Sequence, residues 1–410
     1  MDPETVIRTG TADDWEQISQ LLGVTFHDTD EAAVREVEGQ VFEPDRSLVV
    51  VDQDVIVGHA GAYSREITVP GAILPAAHVT LVGVAPTHRR RGLLTRMMHR
   101  QLTEVAAAGR EPIAVLWASE TKIYPRYGYG MAAQRLFAEV MTREVNLPSA
   151  PPVEGTRLRM VAPDQAIADF AKVYEQLRPD RTGWSNRDDR WWRFVLADPQ
   201  ALREGHTPLR GVVHDTPDGP TGYAVWRTKP KWGAHGPDGA VDVREVMAVD
   251  PVAYAALWRF LFGIDLTRTL NASFLSVEEP LQHLVDEPRR LGTRLSDALW
   301  VRIVDLPRAL AARRYATDVN LVLEVTDPLL TGNAGRWRLT GGPDDARCTP
   351  TTDPADLACT VLELGAAYLG GTRLAALAAA GRVRELTPGA VDRASLAFGW
   401  HRLPNPTEIF

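Results

Sequence analysis

The sequence predicts an α/β (α+β) fold: a mixed-sheet α/β unit that occurs twice, followed by a smaller α+β unit. Three observations predict it. At 410 residues the chain exceeds what a single hydrophobic core ordinarily organises, so two or three domains are expected. From Val6 to about Val145, strand and helix patterns alternate. A later stretch then repeats part of that order.

The elements follow in sequence. A short strand at 6–8 leads to Thr11, a helix-capping residue type, and then to Trp15, Ile18, Leu21 and Leu22 at helical spacing. Strands at 47–52 and 55–64 form a hairpin through Asp52-Gln53-Asp54. A strand at 77–85, a helix at 93–108 stopped by Gly109 and a strand at 113–118 complete the first unit. Leu147-Pro148-Ser149-Ala150-Pro151-Pro152 has the composition of a linker. Beyond it, Gly222-Tyr223-Ala224-Val225-Trp226 echoes Gly58-His59-Ala60-Gly61-Ala62-Tyr63. Likewise Val246-Met247-Ala248-Val249-Asp250-Pro251 echoes Thr80-Leu81-Val82-Gly83-Val84-Ala85-Pro86, with an apolar helix following at 254–262. A third unit is expected from about 299–303, with strands at 320–326 and 335–339 and helices at 354–368 and 373–380. Leu374, Leu377 and Val383 form an apolar stripe that core packing explains. The expected domains are therefore 1–147, 148–296 and 297–410. Residues 403–410 are too proline-rich for a helix and too apolar for a free tail, so they are expected to dock in extended form.

Composition removes several function classes. No stretch approaches the ~20 consecutive apolar residues of a membrane span. Met1-Asp2-Pro3-Glu4 places acids where a signal peptide carries bases, so a cytoplasmic protein is expected. Cys348 and Cys359 have no neighbouring Cys or His at ligand spacing, which argues against a zinc site or a disulfide framework; no metal is expected. The net charge of −8 disfavours a nucleic-acid partner and favours a cationic one.

One segment carries chemistry. Val79-Thr80-Leu81-Val82-Gly83-Val84-Ala85-Pro86 is an apolar strand that runs into the basic turn Thr87-His88-Arg89-Arg90-Arg91-Gly92, where the helix beginning Leu93-Leu94-Thr95 starts. The first N–H groups of a helix lack internal partners and sit at the positive end of its dipole, so they bind anions. Gly92 lets a phosphate approach the backbone, and arginines add charge-assisted hydrogen bonds. Arginine is common in this chain and lysine occurs only at Lys122, Lys172, Lys229 and Lys231, so the arginine run gains its meaning from the strand, glycine and helix around it. An elongated diphosphate is the guest that fits. In the second unit, Asp250-Pro251-Val252-Ala253-Tyr254 stands in its place, and an acid there repels phosphate; one cofactor site per chain is expected.

Arg89-Arg90-Arg91-Gly92-Leu93-Leu94 resembles the acetyl-CoA signature of the GNAT superfamily of N-acetyltransferases, with Leu94 where the pattern has a small residue. The whole chain resembles the enhanced intracellular survival (Eis) family. Its arginine loop, Ala118-Ser119-Glu120-Thr121-Lys122-Ile123-Tyr124-Pro125-Arg126-Tyr127-Gly128-Tyr129-Gly130, Ala367-Tyr368-Leu369-Gly370-Gly371-Thr372 and a final Phe carry the likeness. The resemblance implies two tandem GNAT domains and a sterol-carrier-protein-like domain, with acetyl-CoA as co-substrate.

It also implies roles. Tyr124 would be the general acid, with Tyr127 and Tyr129 as rivals, and the terminal carboxylate of Phe410 the general base. Val82 and Val84 would pair by their backbones with the pantetheine arm and acetyl carbonyl, with Ser119 nearby. The acceptor channel would take walls from the first two helices. Asp28, Asp30 and Glu31, with Glu408, would attract a cationic amine such as a polyamine, an aminoglycoside-like molecule or a lysine; Trp15, Phe26 and His27 would be walls or ordinary core residues. A homohexamer is implied by the resemblance alone. The competing expectation is a non-catalytic acyl-CoA- or lipid-binding protein, in which the stretch from Leu369 to Val383 lines a lipid groove.

Overall fold

The computed structural model describes residues 5–28, 31–147 and 155–410. The start Met1–Glu4 and nearly all of the proline-rich linker lie outside the described residues, as does Asp30. Among the described residues, three larger sheets and one two-strand ladder carry the fold. The first sheet has seven strands: β1 (Thr5–Thr9), β2 (Leu48–Asp52), β3 (Val55–Val69), β4 (Ala72–Val84), β5 (Ile113–Trp117), then β16 (Leu299–Ile303) and β6 (Gly130–Met131). Helices α1 (Trp15–Phe26), α2 (Ala32–Gly39) and α3 (Leu93–Ala108) belong to this stretch of chain. Ile18, Leu21 and Leu22 bury one face of α1 against Val49 and Ile56, as their spacing predicts.

The second sheet follows the same plan: β8 (Arg157–Val161), β9 (Arg210–Thr216), β10 (Gly219–Lys229), β13 (Gly239–Ala248), β14 (Thr267–Leu275), then β7 (Gln134–Met141) and β15 (Arg294–Asp297). β11 (Trp232–Gly233) and β12 (Gly236–Pro237) form the separate ladder. Helices α4 (Ile167–Leu177), α5 (Asp189–Val195), α6 (Pro251–Phe262) and α7 (Leu281–Leu284) accompany it. In both sheets the fourth and fifth strands are parallel and their neighbours antiparallel.

The sixth strands are exchanged. β7 precedes the linker yet pairs with β14 in the second sheet, while β16 follows the second unit yet pairs with β5 in the first. The expected boundaries at 147/148 and near 297 therefore do not coincide with the sheets, and the strand at 299–303 does not open the third unit. An apolar strand carries no mark of which sheet edge will receive it.

The third unit holds β17 (Val319–Thr326), β18 (Gly335–Gly341), β19 (Ala346–Pro350), β20 (Leu357–Thr360) and β21 (Arg384–Glu385), with α8 (Leu306–Ala312), α9 (Val361–Ala367), α10 (Leu374–Ala379) and α11 (Ala390–Phe398). The single helix expected at 354–368 is instead β20 followed by α9. The break falls at Thr360, which caps α9 in a reciprocal capping box with Glu363. Helix α9 lies so close to the first sheet that a Cβ on Gly130 would strike the backbone of Leu362 and Ala366, and one on Gly365 the carbonyl of Val301. One hydrophobic core consequently runs from Ile67, Val115 and Val301 into Leu321, Leu364 and Phe398. Leu369, Leu374 and Val383 are buried in that core, as core packing requires. Among the described residues, no helix is long and apolar enough to cross a membrane.

Candidate active site

Strands β4 and β5 pair only over Ala76–His78 against 113–115, although both continue further. Past that point they splay, and the backbone edges of 79–84 and 116–119 face one another across an opening. Leu81 marks the distortion: it adopts φ 53°, left-handed and uncommon for a side chain of its size, where the β3–β4 register slips. His59 secures the bulge, its ring lying 2.7 Å from the Leu81 carbonyl and 3.1 Å from the Ser47 hydroxyl. Burial pushes the His59 imidazole down to about 4, so it holds this post uncharged at neutral pH.

β4 delivers the chain through Val82 and Val84 to the arginine turn. Val82 and Val84 pack beside Leu93 and Met97, which roots the start of α3 in the core. The helix runs over Leu93–Ala108, the span its pattern predicts, between Gly92 (φ 78°) and Gly109 (φ 63°). No side chain caps its N-terminus. The amides of the first turn are thus left for a ligand, and a Cβ on Gly92 would meet nothing within 4 Å, so the approach is open. Arg89, Arg90 and Arg91 are exposed around it, with Arg90 itself left-handed at φ 64°. Leu93 is buried, which leaves only its backbone to a ligand, while Leu94 packs in part against the core and Thr95 stays exposed with its hydroxyl 3.2 Å from that of Tyr127. An open helix start, a bare glycine and three exposed arginines fit a diphosphate.

Below the opening, Thr80, Val82, Ser119, Tyr124 and Phe410 line one cleft of about 480 Å3, with Phe26 on its wall. Of the three tyrosines, Tyr124 alone lines it. Tyr127 is tied to Thr95, and Tyr129 is fully buried, its phenol pushed well above the usual range by burial. Burial also pushes the Tyr124 phenol up, to about 12, against a lowering hydrogen bond with Ser119. Phe410 reaches this cleft from the third unit: the Thr80 hydroxyl donates to its backbone oxygen at 2.8 Å, and its ring meets that of His78 edge-on at 4.6 Å.

Residues 403–410 dock in extended form, as expected. The Leu403 N–H donates to Glu278 at 2.8 Å and the Asn405 N–H to the Thr182 carbonyl at 3.0 Å. Glu408, however, does not face an acceptor. It is buried between Arg65 (2.7 Å) and Arg187 (2.6 Å), and Arg187 also grips Glu245 at 2.7 Å. A carboxylate left in so apolar a place needs a paired cation, and these two arginines supply it. Burial alone would raise the Glu408 carboxyl; Arg187 and Arg65 bring it below the usual range. Asp28 is exposed at the end of α1, while Glu31 starts α2. Sequence reasoning missed Arg65, Arg187 and Glu245, which are scattered over two units; a buried Glu408 was the one signal that would have demanded them.

A second cleft of about 440 Å3 meets the first at Ile409. It is lined by Val34, Val37 and Glu38 of α2 and by Asp198, Glu204 and Asp242 of the second unit. Helix α2 lines this cleft through Val34, Val37 and Glu38, and Asp28 does not line it. Burial, and then Asp28, raise the Glu38 carboxyl.

A mixed sheet opened between two parallel strands, with an uncapped helix start at the mouth and a phenol inside, defines an acyltransferase of the GNAT type. Residues 6–132 and 183–303 each match an acetyltransferase (GNAT) domain family, and residues 306–405 match the sterol carrier protein domain. An uncharacterized N-acetyltransferase of Streptomyces avermitilis is 46% identical over 396 residues, covering 96% of this chain and 97% of its own. N-acetyltransferase Eis of Mycobacterium tuberculosis is 34% identical over 400 residues, 95% of each chain. The crystal structure of Eis1 from Mycobacterium abscessus superposes with a TM-score of 0.81 at 31% identity, covering 99% of this chain and 100% of its own. The chain belongs to the Eis family of GNAT N-acetyltransferases. GNAT domains imply acetyl-CoA as co-substrate.

Proposed function

We propose that the protein acetylates cationic amines by direct transfer, with Tyr124 as general acid and the terminal carboxylate of Phe410 as general base. The observation that carries the reading is that Tyr124 and Phe410, 286 positions apart in sequence, line one cleft with Val82 and Ser119. Acetyl-CoA supplies the activated thioester. The amides of residues 92–95 and Arg89, Arg90 and Arg91 hold its diphosphate, and the free edge at Val82 and Val84 aligns its arm. An alkylamine is protonated at neutral pH and must lose that proton to attack. The Phe410 carboxylate, oriented by the Thr80 hydroxyl, takes it; this role requires the polypeptide to end at Phe410. Tyr124 keeps its proton at pH 7 and gives it to the departing thiolate.

The acceptor enters through the second cleft, where four acids, Glu38, Asp198, Glu204 and Asp242, outnumber Arg227 and Arg244 and favour a polycation of the polyamine, aminoglycoside or lysine class. Assembly as a homohexamer rests on the family resemblance alone. The test is thiol release from acetyl-CoA with spermidine and kanamycin as acceptors. Tyr124→Phe is expected to lower kcat about a hundredfold or more with the acetyl-CoA KM little changed. An unchanged kcat would remove Tyr124 from the role.

A further inference from the structure

The second unit keeps the opening that defines the first. β13 and β14 pair in parallel only from Gly239 to Val243 against 267–272, and then splay. A cleft of about 240 Å3 lies in the gap. It cannot take a diphosphate at its mouth, because the Asp250 carboxylate accepts from the Val252 and Ala253 amides at 2.8 and 2.9 Å and occupies the start of α6.

What lines the cleft is apolar and rich in donors. Trp184, Tyr254, Trp258 and Phe274 supply walls. The indole N–H groups of Trp184 and Trp258 are buried without a hydrogen-bond partner among the described residues. The Arg181 guanidinium, also on the lining, makes no ion pair or hydrogen bond among the described residues. Three carboxylates also line it, and each is engaged: Glu245 by Arg187 and the Tyr223 hydroxyl, Glu278 by the Leu403 N–H, and Glu279 by the Tyr254 hydroxyl and, at 3.1 Å, by the Ser276 N–H. Burial raises the Glu279 carboxyl to about 7, so at neutral pH it only partly offsets Arg181. Buried donors without partners are costly, and a guest that accepts their hydrogen bonds recovers that cost.

We propose that this cleft binds a small apolar monocarboxylate, its carboxylate accepting from Arg181 and an indole N–H and its hydrocarbon body against the aromatic walls. Arg402, Leu403, Asn405 and Thr407 form one wall, so the guest touches the same segment that ends at Phe410 in the first cleft. The two clefts share no lining residue, so occupancy is expected not to compete with acetyl-CoA.

The experiment titrates the full-length protein with 3-phenylpropionate by calorimetry, with tryptophan fluorescence as a second readout. Saturable binding is expected with coenzyme A present or absent. The neutral 3-phenylpropionamide is expected to bind about tenfold or more weaker, as is the acid to Arg181→Gln; Arg181→Lys is expected to retain most of the affinity. Coenzyme A binding by each variant reports that it has folded. No binding at ~5 mM acid, equal binding of acid and amide, full affinity in Arg181→Gln, or displacement by coenzyme A would each overturn the proposal.

Discussion

In the first GNAT unit the helix after the central strand starts at Gly92, with no side chain on its amides; in the second it starts at Asp250, whose carboxylate accepts from two of them. The sheets are otherwise alike, down to the parallel pair that opens partway along its length. The difference teaches that the sheet only makes the opening, while the helix cap decides whether a phosphate can seat there. A self-capped helix has spent its anion site on its own stability.

The largest effect should come from the tail, which joins the two openings. Deleting Phe410 withdraws both the ring and the carboxylate at its position, and kcat is expected to fall about a hundredfold or more while acetyl-CoA binding persists. Full activity in the shortened chain would contradict the role of the tail. Glu408→Ala should come next, because it strands Arg65 in the interior and leaves Arg187 to Glu245 alone; a loss of about 3–5 kcal/mol in stability is expected by denaturant titration. The sign of the pH effect follows from the lowered Glu408 carboxyl. Its stabilisation is complete above the ordinary glutamate value of about 4.3 and is lost as pH falls through the lower folded value. The melting temperature should therefore drop with acid, and less steeply in Glu408→Gln.

Exchanging the caps sharpens the comparison directly. Gly92→Asp places an acid on the open helix start, and Asp tolerates the left-handed backbone there better than most residues. The KM for acetyl-CoA is expected to rise about tenfold or more with kcat at saturation less affected. The reciprocal Asp250→Ala should cost only about 1 kcal/mol, read as a small drop in melting temperature, with acetyl-CoA kinetics unchanged.

Much of this was legible in sequence because it is local. The amphipathic run from Leu93 with glycines at both ends fixes α3, and the absence of a small polar residue at Gly92 announces an open cap. The Thr360–Glu363 capping box was equally local and would have split the helix read at 354–368. Strand exchange was not legible, since Leu299–Ile303 is as apolar as any central strand and its partner β5 lies 182 positions earlier, counted from Trp117 to Leu299. Nor was the fate of Glu408. In sequence, an acid beside the terminus reads the same whether it awaits a cationic substrate or is already paired, and two arginines among so many give no sign that they are its partners.

The central claim is that the first opening, closed by the tail, is where acetyl transfer occurs. A crystal structure with coenzyme A tests it most directly. One coenzyme per chain is expected, its diphosphate on the amides of residues 92–95 and its sulfur turned toward Tyr124 with Phe410 across the cleft. Coenzyme seated between β13 and β14, or a tail withdrawn from the first cleft when coenzyme is bound, would contradict it.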